Sequence, residues 1–349
     1  MTDKVRVLVV DDSAFMRMAI SKMLKQAGIT VIGTAQNGQE ALEKIRDLKP
    51  DVVTLDVEMP VMDGLTALAE IMIHSPVPVI MLSSLTTSGA PATVKALELG
   101  AVDFVPKPAS FVSYQIADLQ RELADKIREA ARLSRQKLVD IVRRRRRLKD
   151  RPKDSPRAWT NSFDLVAIGC STGGPPALQS IVPRFPRDIP VGIVIAQHMP
   201  PGFTGPLAER LNEASPVEVR EARSGDVLEP GLALVAPAGY QLRLERLGGR
   251  IMVRVNQDPS NALYKPSVDI LMASAAEACG SRTVAVILTG MGSDGMYGMK
   301  AVYDQGGMTI AESEETCVVF GMPRKAIENG AIRAVLPLDA IADEILAVL

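Results

Sequence analysis

Apolar runs that stop at a carboxylate or a hydroxyl, each followed by a stretch of helical periodicity, set the narrowest limit on what this chain folds into. Residues 5–10 run into Asp11 and Asp12, residues 51–55 into Asp56, and residues 77–82 into Ser83; residues 30–34 and 102–105 complete five strands. Ala14–Gln26 and Gly38–Leu48 read as helices between them. Strict βα alternation predicts a parallel sheet covered on both faces. Ligands of such sheets sit beyond the carboxyl ends of the strands, where Asp11, Asp12 and Asp56 fall. Three carboxylates in one mouth repel each other unless a cation joins them, and an oxygen-only site suits Mg²⁺. The same mouth receives Ser83 and the Lys107 of Val105-Pro-Lys-Pro108, a hydroxyl and an ammonium suited to the oxygens of a phosphoryl group on Asp56. Singly, each acid reads as an exposed loop residue; five such residues at strand ends read as a site.

The second half repeats the pattern with different end groups. In Asp164-Leu-Val-Ala-Ile-Gly-Cys-Ser-Thr-Gly-Gly-Pro-Pro-Ala-Leu178 an apolar run leads into Ser171 among glycines, then into a proline-started helical turn. Gly169-Cys-Ser-Thr-Gly173 matches the G-x-S-x-G nucleophile elbow, and the same turn also fits a phosphate cradle or a tight βα turn with a surface serine. Residues 191–196 form a buried strand with His198 just past its end, in Gln197-His-Met-Pro. Residues 283–288 form another, leading into Thr289-Gly-Met-Gly-Ser-Asp-Gly295. Ser171, His198 and Asp294 are thus expected on one sheet edge: a hydroxyl to attack, an imidazole to take its proton, a carboxylate to hold the imidazole's tautomer. His198 is the single histidine after residue 150, whereas Asp226, Asp258 and Asp269 are rivals to Asp294. The chain order Ser, His, Asp differs from the Ser, Asp, His of α/β-hydrolases, so a different doubly wound sheet is expected. Cys170 competes as nucleophile on intrinsic reactivity, but strand alternation turns it away from Ser171. An oxyanion hole is expected from backbone amides of residues 289–295, with Met291 as donor.

A chain of 349 residues is long for one core, so two domains are expected. A formal net charge of -1 gives no global reason to bind nucleic acid or anionic lipid. No apolar run is long enough for a bilayer, Met-Thr-Asp-Lys before a short strand does not read as a signal peptide, and three scattered cysteines lead to the expectation of a reducing cytoplasm.

Between the halves, apolar residues at Ile116, Leu119, Leu123 and Ile127 recur at helical spacing, predicting that the last helix of the first half runs on to about residue 141. Five arginines at 143–147 and a Pro/Ser-containing stretch at 151–156 follow. That run reads as a solvated helix end or a surface for an acidic partner rather than a nucleic-acid patch, since no aromatic residues accompany it. His74 reads as an ordinary helix-end residue.

From Lys4 to Glu129, on Val-Asp-Asp-Ser, Leu-Asp-Val-Glu-Met-Pro and Lys107-Pro108, the chain resembles the receiver domain of two-component response regulators. That resemblance implies Asp56 as phospho-acceptor, Asp11 and Asp12 as further Mg²⁺ ligands, Ser83 and Lys107 as readers of the phosphoryl group, and Phe104 as the aromatic switch. From Asp164 onward, Ile-Gly-x-Ser-Thr-Gly-Gly, Gln-His-Met-Pro and Thr-Gly-Met-Gly-x-Asp-Gly resemble the catalytic domain of chemotaxis protein-glutamate methylesterases. The implied fold class is α/β, with two doubly wound parallel-sheet domains, a flavodoxin-like receiver (1–129) and a Rossmann-like hydrolase domain (163–349), joined by a helical, arginine-rich linker (130–162). The implied activity is demethylation of glutamate γ-methyl esters and deamidation of glutamines on methyl-accepting chemoreceptors, with a chemotaxis histidine kinase as phosphodonor and no cofactor for the esterase step. The arginine-rich connector matches no feature of that family. An unphosphorylated receiver would restrict the Ser171 mouth, so removing residues 1–150 would raise basal activity. The alternative is a receiver-controlled DNA- or nucleotide-binding output module.

Overall fold

The computed structural model describes residues 5–83, 89–107, 113–149, 159–160 and 162–349, with 89, 113–118 and 145–149 described by backbone alone. Pro108, the stretch 151–156 and the side chains of Arg145, Arg146 and Arg147 therefore lie outside the described residues. The chain divides into two units, Met1–Arg143 and Arg144–Leu349.

The first unit alternates β1 (Arg6–Val10), α1 (Ala14–Gln26), β2 (Thr30–Ala35), α2 (Gly38–Leu48), β3 (Val52–Asp56), α3 (Gly64–His74), β4 (Val79–Ser83), α4 (Gly89–Leu99), β5 (Asp103–Pro106) and α5 (Ser113–Ala130). Its first three helices start where capping side chains stand. Ser13, Asn37 and Asp63 accept the amides of Met16, Glu40 and Thr66, and Glu40 reaches back to the amide of Gln36. All five strands are parallel in the order β2-β1-β3-β4-β5, so the chain reverses direction across the sheet between β1 and β3. The crevice at that reversal opens at Asp11 and Asp56.

The long final helix expected through residue 141 is instead two helices. α5 stops at Ala130, and α6 (Arg135–Lys149) restarts on Ser134, whose hydroxyl accepts the Lys137 amide at 3.1 Å and whose carbonyl accepts the Leu138 amide. A serine offering both groups ends one helix and caps the next, although the apolar periodicity runs through it.

The second unit begins with β6 (Leu165–Cys170), α7 (Gly174–Ile181), β7 (Gly192–Gln197), α8 (Thr204–Ala214), β8 (Glu218–Glu221) and β9 (Leu232–Val235). An antiparallel hairpin, β10 (Gln241–Leu247) and β11 (Arg250–Asn256), precedes α9 (Val268–Cys279). Then come β12 (Thr283–Ile287), α10 (Met296–Asp304), β13 (Met308–Glu312), α11 (Met322–Glu328), β14 (Ala334–Leu336) and α12 (Leu338–Val348). Seven parallel strands lie in the order β14-β13-β12-β6-β7-β9-β8, with the reversal between β6 and β12. Leu165 and Ala167 of β6 pack with Leu271 and Met272 of α9 and Leu242 and Val253 of the hairpin in one core. The six residues of β6 are all buried, as an apolar run covered on both faces should be. Both domains are thus doubly wound parallel α/β sheets.

Candidate active site

The register levels the strand ends. Gly169 pairs with Ile287, and Cys170 with Gln197, so Ser171, His198 and the turn 288–295 leave the sheet at one edge. Ser171 sits in a turn closed by the Gly174 amide on its carbonyl (2.8 Å). Gly173, at φ +77°, makes the bend into α7, and a Cβ on it would lie 2.6 Å from that of Val318. Gln197, buried, ties this turn to the next: its Nε2 donates to the carbonyls of Ser171 (3.0 Å) and His198 (2.8 Å). Its Oε1 accepts the Cys170 thiol at 3.0 Å. Cys170 is fully buried, and burial, then the Glu312 charge, pushes its thiol well above the ordinary range, which disfavours the reactive thiolate.

His198 Nε2 lies 2.8 Å from Asp294 Oδ2. With Nε2 donating to the carboxylate, Nδ1 carries the lone pair. Nδ1 is buried and has no hydrogen-bond partner among the described residues. One face of the imidazole is stacked on Tyr264, with centroids 4.3 Å apart and planes 3° from parallel.

Asp294 is fixed by the start of α9. Oδ1 accepts the Ser267 hydroxyl (2.9 Å) and the Asp269 amide (3.1 Å), and Oδ2 accepts the Val268 amide (2.7 Å) besides His198. Burial alone would raise this carboxyl, but His198 and the two amides outweigh it and hold it below the usual carboxylate range. Asp269 returns the favour by accepting the Gly298 amide of α10 at 2.7 Å, so each of two neighbouring helices is capped by an aspartate from beside the other. Burial, and then the Asp294 charge, pushes the Asp269 carboxyl up. Among the rivals expected from sequence, Asp269 is thus a cap, Asp226 pairs with Arg220 at 2.7 Å, and Asp258 is exposed.

The turn after β12 approaches the serine closely. A Cβ on Gly290 would lie 2.8 Å from Ser171 Cβ and against Met322 Sδ. The Ser171 and Gly290 amides are committed to the carbonyls of Thr289 and Val319, at 3.0 Å each. No bond is described for the Met291 amide, the expected oxyanion donor.

In the first unit, carboxylate oxygens of Asp11, Asp12 and Asp56 lie within 4.8 Å of one another, with Asp12 exposed and the other two buried. Lys107 Nζ reaches Asp11 Oδ2 (2.8 Å) and Asp56 Oδ2 (2.6 Å). Burial, reinforced by Asp11, pushes the Asp56 carboxyl up to about 6 against the pull of Lys107. Gly64 begins α3 directly on the Asp56 carbonyl, where a Cβ has no room. Ser83, buried, accepts the Lys107 amide on its carbonyl (2.7 Å), and its hydroxyl meets that of Thr93 at 2.6 Å. Phe104 is 2% exposed, with Lys126 Nζ 5.6 Å from its ring centre.

Sequence reasoning missed Gln197, Ser267, Thr93 and Tyr264. Gln197 adjoins His198 and Ser267 lies two residues before Asp269, so both stood in stretches already singled out but were given no role; Tyr264 carries no local signal.

A family profile described as CheB methylesterase matches residues 166–345, and one described as response regulator receiver domain matches residues 7–115. The chain is 48% identical, over 98% of each chain, to "Protein-glutamate methylesterase/protein-glutamine glutaminase 1" of Oleidesulfovibrio alaskensis. It is 50% identical, over 97% of each, to "Protein-glutamate methylesterase/protein-glutamine glutaminase" of Archaeoglobus fulgidus. The crystal structure of the Thermotoga maritima CheB methylesterase catalytic domain aligns with a TM-score of 0.53 at 43% identity, covering 54% of this chain and 99% of that one. These matches do not support a DNA- or nucleotide-binding output module. No helix among the described residues is long and apolar enough to cross a membrane.

Proposed function

Because the chain belongs to the CheB methylesterase family, we infer that it is a phosphorylation-regulated hydrolase that demethylates glutamate γ-methyl esters and deamidates glutamines on chemoreceptors in chemotaxis signalling. Both reactions are acyl transfers to water with different leaving groups, so one nucleophile serves both. The observation that carries the catalytic reading is the 2.8 Å bond from His198 Nε2 to a carboxylate itself locked by three other donors. It leaves the Nδ1 lone pair as the base.

Ser171 Oγ attacks the γ-carbonyl carbon while His198 Nδ1 takes its proton, giving a tetrahedral oxyanion that the Met291 amide stabilises. Collapse breaks the ester C–O bond, or the amide C–N bond, and the His198 proton goes to the departing methanol or ammonia. Water, activated by the same nitrogen, then frees glutamate from Ser171. Asp294 holds the tautomer and stabilises the transient imidazolium. No cofactor enters this scheme.

Asp56 is the phospho-acceptor for the chemotaxis histidine kinase. Asp11, Asp12 and Asp56 form an all-oxygen donor set that fits Mg²⁺, which when bound neutralises charge around the phosphoryl group. Ser83 and Lys107 contact the phosphoryl oxygens, and Phe104 registers the movement of Ser83. Residues 1–129 form the receiver, 130–162 the linker and 163–349 the catalytic domain. The protein works in the cytoplasm on receptor helices, without inserting into the membrane or binding nucleic acid.

The test is methanol release from methylated receptor, with and without a small phosphodonor and Mg²⁺. Ser171→Ala should abolish release while Asp56 is still phosphorylated; substantial residual turnover would remove Ser171 from the mechanism.

A further inference from the structure

We propose that Tyr264 is a positioning residue for the general base, holding the His198 ring in the plane that serves Asp294 on one side and Ser171 on the other. A single bond from Nε2 leaves the imidazole free to swing about that contact. The tyrosine ring removes this freedom, lying 3° from parallel with centroids 4.3 Å apart. The Tyr264 backbone is anchored independently of the histidine. Gln241, fully buried at the start of β10, donates to the Tyr264 carbonyl at 2.8 Å and accepts the Ser267 amide at 2.8 Å. One side chain therefore ties down the backbone of both the stacking residue and the serine that holds Asp294.

The far end of the ring reaches the oxyanion turn. A Cβ on Gly292 would lie 3.2 Å from the Tyr264 hydroxyl, so glycine there leaves room for the phenol beside Met291. The ring also has the electronics the reaction needs. Burial, then the nearby Asp294 charge, pushes the phenol up, so Tyr264 stays neutral and does not compete as a base. The face of a neutral aromatic ring attracts the cation formed when His198 takes the serine proton. That attraction is greater in the transition state than in the resting enzyme, so it acts on kcat rather than on substrate binding.

This inference rests on the esterase reading of the site, and its test separates the two. Methanol release from methylated receptor is measured for the full-length wild type and for Tyr264→Phe, Tyr264→Leu and Tyr264→Ala, with melting curves to verify folding. Phenylalanine keeps the ring face, leucine keeps only the cover, and alanine keeps neither. The expected result is Tyr264→Phe within twofold of wild type, and Tyr264→Leu and Tyr264→Ala lower in kcat by about five- to tenfold at unchanged KM. Equal rates for Tyr264→Phe and Tyr264→Leu overturn the inference alone. So does a loss in Tyr264→Phe as large as in Tyr264→Ala, or a change confined to KM. A wild type that releases no methanol overturns the esterase reading, and this inference with it.

Discussion

Asp294→Asn is the most discriminating substitution at this site, because the four donors around the carboxylate dictate how an amide can replace it. Each carboxylate oxygen accepts one backbone amide, Val268 on Oδ2 (2.7 Å) and Asp269 on Oδ1 (3.1 Å). Whichever way the asparagine is turned, its NH₂ therefore faces one N–H. Turning it toward Asp269 sacrifices the longer bond and allows the Ser267 hydroxyl, now 2.9 Å from Oδ1, to accept instead of donate. The oxygen then stays on His198 and the tautomer survives. Stability falls by about 1 kcal/mol, the low end for an unsatisfied amide, because the Asp269 amide is only part-buried. Transition-state stabilisation falls by about 2–3 kcal/mol for exchanging a charged partner of the imidazolium for a neutral one, or about 30- to 150-fold in kcat. The assay is methanol release under saturating methylated receptor, with denaturant melts in parallel. A kcat within threefold of wild type would refute the role of the charge. A loss near ~10⁴-fold, the scale of an inverted tautomer, would refute the argument about amide orientation.

Two further predictions concern crowding and charge. Gly290→Ala places a methyl 2.8 Å from Ser171 Cβ, and should lower kcat by about 100-fold through displacement of the nucleophile while the protein still folds; a rate within threefold of wild type would contradict that proximity. Asp56 has its folded value raised to about 6, so the folded receiver binds this proton more tightly than the unfolded chain does. The ionised group thus costs stability that returns as pH falls from about 6 toward 4, and in Mg²⁺-free buffer at pH 7.5 Asp56→Asn should stabilise by up to about 3 kcal/mol. The readout is the melting transition that Mg²⁺ shifts in the wild type; a lower midpoint for the variant at pH 7.5 would contradict the sign.

Much of the architecture was legible because parallel sheets write themselves as uninterrupted apolar runs, and because their ligands gather at strand ends. β1, β3, β6, β7 and β12 all announce themselves this way, and the residues just beyond them populate both sites. What escaped is tertiary. Tyr264 lies in an irregular stretch before α9, and only folding brings its ring onto His198. Asp294 was favoured over Asp269 by its glycine-rich turn directly after a buried strand, but that Asp269 caps α10 was not legible, because it depends on which helix end each carboxylate faces. The hairpin β10–β11 mixes Arg and Glu into its apolar alternation, so it stands out less than the buried strands. Ser134 shows the converse, a local cap overriding a periodicity that continues on both sides of it.

The paired capping of α9 and α10 means that Asp294, the proposed partner of the general base, doubles as a keystone. Swapping it out conflates two failures, a silent enzyme and a loosened scaffold, so such a variant makes a poor inactive control in cells. Ser171, whose hydroxyl caps no helix among the described residues, is the cleaner position for silencing the proposed chemistry in a properly folded protein.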